Sequence, residues 1–495
     1  MERRAGVLLN ISSLPSPYGI GTVGEEARDF AKRIASMGFS LWQILPTVPL
    51  GSGDCPYAGP SAFAGNVLYI DPRELVKTGF ISAEEAEEAV YGGSPYTADY
   101  GFAAEAKEKL LRKAFSRCDK TFLDKVTAFG ESHRDIGDYA LFSAIKKAKG
   151  GAPYWEWGED SDYSRACANM EKYKDEYLYC LFSQYVFSVQ WAEFKDYVNS
   201  LGVKLFGDMP IYVSRDSADI WAHPHLFLLN KCTGKPEKVA GVPPDYFSEE
   251  GQLWGNPLYD WAAMKKDGYD WWCRRISQSG KLYDIVRIDH FRAFASYWAV
   301  PATAKTAKEG AWKKGPAMSL FKALKGRTEC EIVAEDLGTF GEDVVKLLDD
   351  TGFPGMRVVQ FGFAPGENSS HLPHNYVNNT VAYVGTHDNN TLLGWLWEAT
   401  PAEREFALDY CGASREGWEI GGREAPACRK IIESVWRSVA DTAIISLQDM
   451  CGYGSDTRMN IPGEAEGNWL FRTTAEALDN IDREYYKKIN SIYNR

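Results

Sequence analysis

The strongest constraint on the fold is an alternation. Short, β-branched or apolar runs recur along the chain, each separated from the next by stretches with helical periodicity, a pattern that favours a parallel sheet covered by helices. Eight such runs stand out: Gly6–Ile11, Ser40–Pro46, Lys204–Val213, Tyr283–Phe291, Glu331–Gly338, Gly355–Phe363, Asn379–Asp388 and Asp441–Asp449. Eight is the strand number of a (β/α)8 TIM barrel, and 495 residues is within the range of barrels that carry insertions. Amphipathic segments fall between them, such as Glu25–Gly38 with Gly38 as its stop signal.

The spacing is uneven. About 150 residues separate the second and third runs and about 70 the third and fourth, far beyond ordinary βα connections. The expectation is a single barrel over 1–495 with an insertion subdomain at 51–200 and a second insertion with a lid loop at 214–282. Helical patterns at Ala103–Phe115 and Tyr177–Asn199 mark the first, and the Pro-, Gly- and aromatic-rich Lys238–Trp261 predicts an ordered loop in the second.

The carboxylates give this scaffold a chemistry. Asp208, Asp289, Glu335 and Asp388 each lie at or near the C-terminal end of a different run. In a barrel those ends converge on one face, where active sites form. One such acid alone is more often a cap or surface charge. Four in one pocket repel each other and resist desolvation, so stability does not account for them. A retaining glycosidase needs such a set: one ionised carboxylate as nucleophile and one protonated carboxyl as acid/base. Arg287 and Asp289 are two apart on a strand and share a face, so the cation favours an ionised Asp289. Glu335, followed by Asp336, is the better acid, because nearby carboxylates raise its pKa.

Composition narrows the partners. A net charge of −13 with no long basic run excludes a nucleic-acid-binding role. The N-terminal stretch lacks the apolar core of a signal peptide, and no stretch approaches the ~18 apolar residues of a membrane span, so a soluble, cytoplasmic protein with no membrane partner is expected. The ten cysteines include no Cys-x-x-Cys pair and are expected to be scattered, mostly buried thiols. Aromatics reach 14%, which suits stacking on sugar faces although most must be core.

Several consecutive segments resemble the blocks of the 4-α-glucanotransferases of glycoside hydrolase family 77. They are SSLPSPYGIG, GPSAFAGN (Gly59–Asn66), LFGDMPIYVSRDSADIW, VAGVPPDYFSEEGQLWGNPLYDW, IVRIDHFRAF, IVAEDLG, GMRVVQFGF, VGTHDNNT and NIPGEAEGNW. The resemblance runs in order from about residue 6 to residue 472, and the VPPDYF…GQLWGNPLY loop separates this family from the wider α-amylase clan. It implies maltooligosaccharides and α-1,4-glucans as donors and acceptors, with no metal or organic cofactor. It further implies Asp289 as nucleophile, Glu335 as acid/base and Asp388 as transition-state stabiliser. Arg287 would orient Asp289, while Asp208, His290 and His387 would hold the sugar. Tyr57 and a covering loop with Tyr246, Gln252 and Trp254 would contact substrate, as would Asn460, with Trp469 a weaker candidate. Asn390 stands where the family often has an acid, and Ser52 where some members carry an aromatic. Transfer in place of hydrolysis follows from the resemblance; a hydrolase on the same barrel and a non-catalytic glucan-binding protein are the alternatives.

Gly19–Gly24 also fits Gly-x-Gly-x-x-Gly, the pattern of a dinucleotide-dependent oxidoreductase. The fingerprint needs an acid about 20 positions on, and Phe30–Gly53 contains no Asp or Glu. The pair His223-Pro-His225 reads as packed or capped histidines, and the Glu-rich Ser82–Val90 as a solvated helix capped by Ser82.

Overall fold

Each apolar run forms a strand, and the eight strands are parallel. In the computed structural model, which describes residues 3–244, 249–338 and 341–495, they are β1 (Arg4–Leu8), β2 (Leu41–Gln43), β3 (Lys204–Met209), β4 (Ile285–Ile288), β5 (Glu331–Ala334), β6 (Gly355–Val358), β7 (Thr380–Tyr383) and β8 (Thr442–Ser446). Hydrogen bonding orders them β6-β7-β8-β1-β2-β3-β4-β5. The remaining seam closes where the Ala334 N–H donates to the Pro354 carbonyl at 2.9 Å and the Met356 N–H to Asp336 Oδ1 at 2.5 Å. The fold is a (β/α)8 barrel.

Its interior is filled by Leu8, Leu41, Phe206, Ile285, Val333, Met356, Val358, Val381, Tyr383 and Ile444, one small cluster drawn from all eight strands. Residues on the opposite strand faces pack against the helices. Trp42 of β2 meets Phe30 of the helix Glu25–Ser36 at 4.8 Å and Phe194 of the helix Lys174–Ser200 at 5.6 Å. The Trp42 indole donates to the Leu9 carbonyl at 2.8 Å, so its one polar atom is satisfied inside the core.

Several strands end earlier than their apolar runs. β3 stops at Met209 because Pro210 has no N–H to continue the ladder. The carbonyls of Pro210 and Ile211 instead accept from the buried Arg275. The run after β6 turns into a 3-10 segment at Val359–Gly362, and the β6–β7 connection carries only such short turns.

Between β2 and β3 lie the helices Tyr100–Ser116, Lys120–Ser132, Arg134–Ala148 and Lys174–Ser200. Ser82 caps the short helix Ala83–Glu87 through a capping box with Glu85. Lys238–Trp261 is more regular than the ordered loop its composition suggests. Lys238–Val242 and Gln252–Pro257 are antiparallel strands, joined by Ser296–Pro301 and Ala311–Lys314 into a second, four-stranded sheet. All ten cysteines are unpaired; only Cys273, Cys411, Cys428 and Cys451 are buried, fewer than the composition suggested. Among the described residues no helix is long and apolar enough to cross a membrane.

Candidate active site

The four carboxylates meet at the C-terminal end of the barrel. Strand register places Asp208 directly beside Arg287, and the backbone ladder runs on past the strand ends: the Asp289 N–H donates to the Met209 carbonyl at 3.0 Å and the Glu335 N–H to the Ile288 carbonyl at 3.1 Å. Arg287, 4% exposed, is shared by two acids. Its Nη1 donates to Asp208 Oδ2 at 2.7 Å and its Nη2 lies 2.9 Å from Asp289 Oδ1.

These acids differ in their surroundings. Asp289 keeps 30% of its side chain open toward solvent. Burial raises its pKa to about 6, against the pull of Arg287 and with further upward pressure from Asp208 and Asp388. The cation therefore lowers Asp289 without overcoming desolvation. Glu335 is 8% exposed, and burial raises it to about 7, opposed by Arg287 and reinforced by Asp289. Its Oε2 accepts the His290 N–H at 2.7 Å and its Oε1 the Leu337 N–H at 2.7 Å. Asp336 is not the neighbour that raises Glu335. It faces the β5–β6 seam, where it is paired with Arg357 at 2.9 Å and accepts the Met356 N–H. Successive residues on an extended backbone point to opposite sides, which separates the two acids despite their adjacency.

His290 adopts a left-handed backbone conformation (φ 49°), which turns the chain so that its N–H reaches Glu335. Burial pushes its imidazole down to about 3, so it is neutral, and its ring stands edge-on to Trp254 at 4.8 Å. Trp254 projects from Gln252–Pro257 with 37% exposure, its indole donating to Gln252 Oε1 at 3.1 Å. Tyr246 lies outside the described residues.

On the far side, the Tyr57 hydroxyl donates to Asp208 Oδ2 at 2.8 Å and lies 2.9 Å from His387 Nε2. A hydroxyl whose proton goes to Asp208 can only accept from His387, which places a proton on Nε2 of that ring. The rings of Tyr57 and His387 are stacked at 5.3 Å. Burial raises the Tyr57 phenol well above its ordinary pKa, so it stays protonated. Asp388 has 39% of its side chain exposed, accepts from Asn460 Nδ2 at 2.6 Å and lies 3.3 Å from His387 Nε2. Arg458 was not singled out in the sequence, yet its Nη2 donates to the Asp388 carbonyl at 2.7 Å and its Nε to the Asn460 carbonyl at 2.8 Å. Its only signal was its place beside the NIPGEAEGNW block.

Asn390 bonds Ser455 Oγ at 2.9 Å, and its carbonyl accepts from Gln360, which fixes the loop behind Asp388. Ser52 is in an exposed turn, Ser52–Asp54.

Gly19–Gly24 serves the chain's own packing. A Cβ at Gly21 would sit 1.8 Å from the Ile11 carbonyl oxygen, and one at Gly24 would sit 1.7 Å from Asp71 Oδ2. His223 Nε2 lies 3.7 Å from Asp135 and 3.8 Å from Asp138. Arg274 holds Asp135 with two hydrogen bonds of 2.9 and 3.1 Å and the Tyr163 hydroxyl donates to Asp138 at 2.5 Å, contacts that anchor Arg134–Ala148.

The family model described as 4-alpha-glucanotransferase, glycoside hydrolase family 77, matches residues 9–477. The chain belongs to this family. The 4-alpha-glucanotransferase of Clostridium butyricum is 41% identical over 98% of this chain and 100% of its own length. That of Thermus thermophilus is 41% identical over 95% of each. Among solved structures, the amylomaltase of Streptococcus agalactiae in complex with acarbose superposes with a TM-score of 0.94 at 37% identity over 100% of both chains. The amylomaltase of Corynebacterium glutamicum, 18% identical with a TM-score of 0.79 over 99% of this chain and 75% of its own, shares the fold. The chain thus has the family's barrel, with four carboxylates gathered at its C-terminal end.

Proposed function

We infer that this enzyme is a 4-α-glucanotransferase that moves α-1,4-glucan segments between maltooligosaccharides by double displacement, with Asp289 as nucleophile and Glu335 as acid/base. The supporting observation is the unequal pair: a carboxylate held at 2.9 Å by Arg287, beside a buried carboxyl raised to about 7.

In the first step an Asp289 oxygen attacks the anomeric carbon while Glu335 delivers its proton to the departing glycosidic oxygen. A glucosyl ester forms on Asp289 and the shortened glucan leaves with a free 4-hydroxyl. In the second, the Glu335 carboxylate takes the proton of an acceptor 4-hydroxyl. That oxygen attacks the anomeric carbon, the bond to Asp289 breaks, and both carboxyls return to their starting state. Asp388, partly open to the pocket and steadied by Asn460, faces the hydroxyls of the reacting sugar, with Asp208, His290, His387 and Tyr57 around it. Trp254 and Gln252 supply a covering edge that holds an acceptor in place and keeps water scarce, which favours transfer. In this reading 51–200 and 214–282 are insertions that wall the groove. The cytoplasm is the compartment that fits ten unpaired thiols.

The test is purified protein with maltotriose, following chain lengths and reducing ends together. A ladder of longer oligosaccharides plus glucose at constant reducing ends supports transfer. Rising reducing ends with only shorter products make the enzyme a hydrolase, and no change overturns the assignment.

A further inference from the structure

Trp469 has a backbone conformation that its side chain does not favour. Its φ is +67°, in the left-handed region that bulky residues rarely adopt, and it is 5% exposed. Such a conformation persists only where the surroundings enforce it, and two contacts do so here. The Trp469 N–H donates to the Met459 carbonyl at 2.7 Å, and its carbonyl accepts the hydroxyl of buried Tyr100 at 2.9 Å. The following residues are tied to the same region. The Ala98 N–H donates to the Leu470 carbonyl at 2.8 Å and the Arg472 N–H to the Tyr96 carbonyl at 3.1 Å. The conformation aims the indole at the Tyr57–His387 pair, 5.8 Å from the first ring and 6.1 Å from the second.

We propose that Trp469 is a positioning residue for the glucanotransferase reaction, setting the stacked Tyr57–His387 pair and, through it, the Asp208–Arg287–Asp289 chain. The proposal rests on the site assignment given above. The rings of Tyr57 and His387 stack on one another, and the indole closes the third side of the group. A shift of either ring breaks the Tyr57 hydroxyl bond to His387 at 2.9 Å or that to Asp208 at 2.8 Å. Asp208 shares Arg287 with Asp289, so loosening the rings loosens the nucleophile. Tyr100 starts the helix Tyr100–Ser116, so that helix buttresses the Trp469 carbonyl from the segment between β2 and β3.

Trp469→Ala, Trp469→Phe and Tyr100→Phe test this, with two readouts. In steady-state disproportionation of maltotriose, Trp469→Ala is expected to lower kcat about 10- to 100-fold, the scale of loss when reacting groups shift by an ångström, while KM changes less than about 3-fold. Trp469→Phe, which keeps an aromatic face, restores kcat to within about 3-fold of the wild type, and Tyr100→Phe falls between the two. The second readout needs no turnover. In histidine-labelled protein the His387 Nε2–H, held by Tyr57, gives a protected imidazole proton resonance in the wild type and in Trp469→Phe, and loses it in Trp469→Ala. A Trp469→Ala protein with a lowered Tm but wild-type kcat and an intact His387 resonance overturns the proposal, leaving Trp469 a packing residue. Wild-type protein that makes no oligosaccharide ladder yet shows the resonance change refutes the assigned reaction and leaves the positioning role standing.

Discussion

The pH dependence of transfer follows from the two perturbed carboxyls and can be worked through. In the proposed mechanism the productive form has Asp289 ionised and Glu335 protonated. With apparent values of about 6 and about 7, acid conditions protonate the nucleophile and alkaline conditions strip the acid. The optimum therefore falls midway, at about pH 6.5, where about 60% of the free enzyme is productive and activity falls tenfold per pH unit far outside the window. The two groups interact, so the limbs belong to the pair. The assay is kcat/KM for maltotriose disproportionation from about pH 4.5 to 9, repeated for Glu335→Gln. In that variant, transfer from maltotriose falls about 10²- to 10⁴-fold, the usual contribution of a positioned acid. Transfer from α-glucosyl fluoride, whose leaving group needs no proton, recovers most of its first step and loses the alkaline limb. A wild-type profile flat from pH 6 to 9 would refute the reasoning. So would a Glu335→Gln profile on the fluoride donor that keeps its alkaline limb.

Other variants probe the same site and its support. Arg287→Leu strands the buried Asp208 charge and is expected to lower unfolding stability by about 3–5 kcal/mol in urea titrations, with activity lost. Asn460→Ala removes the 2.6 Å bond that steadies partly exposed Asp388 and should reduce kcat by roughly 10- to 100-fold, with Tm lowered by a few degrees at most. Lys107, 2% exposed and bonded to the Ile70 carbonyl, is pushed down to about 7 by burial. The unfolded chain then binds more protons than the folded one between pH 7 and the ordinary lysine value. Wild-type stability should rise across that window with a slope of up to about 1.4 kcal/mol per pH unit, and Lys107→Met should abolish that component of the slope. Equal slopes in denaturant titrations of the two proteins would refute this.

The eight strands were legible in the sequence because parallel strands buried on both faces read as continuous apolar runs. Their C-terminal limits were less so, since Pro210 and the turn at Val359–Gly362 end the ladder while the apolar pattern continues. The second sheet was invisible for a different reason. Lys238–Val242 pairs with Ser296–Pro301, more than 50 residues away, and neither segment alternates strongly enough to announce a partner. Within the site, residue types and strand-end placement identified Asp208, Asp289, Glu335 and Asp388. Side-chain direction was the missing information: adjacency suggested that Asp336 raises Glu335, whereas the pleat sends Asp336 to Arg357. Arg458 bonds backbone carbonyls, and Trp469, named only as a weaker contact candidate, has a left-handed backbone, neither of which residue identity encodes.

The roles proposed for Asp289 and Glu335 are supported by a count of charges around one guanidinium. Arg287 is buried, and so is Asp208, which together make a neutral pair at 2.7 Å. Asp289 adds a negative charge to this group, tolerated because Arg287 Nη2 also reaches it and because 30% of its side chain meets solvent. A third anion at Glu335 would have neither advantage: Arg287 is already divided between two acids, and Glu335 is 8% exposed. The two backbone N–H groups at Glu335 stabilise its anion without cancelling a full charge, and its pKa settles near 7. Exposure and the Arg287 contact favour the anion at Asp289, and burial favours the proton at Glu335, the carboxyl proposed to give it away. After transfer of the sugar to Asp289, that carboxylate is an ester and its negative charge is gone. The part of the rise at Glu335 that comes from Asp289 then falls away, at the moment Glu335 must remain ionised to accept a proton from the incoming hydroxyl. The same three side chains therefore set an acid for the first step and a base for the second, with no other group required to change state.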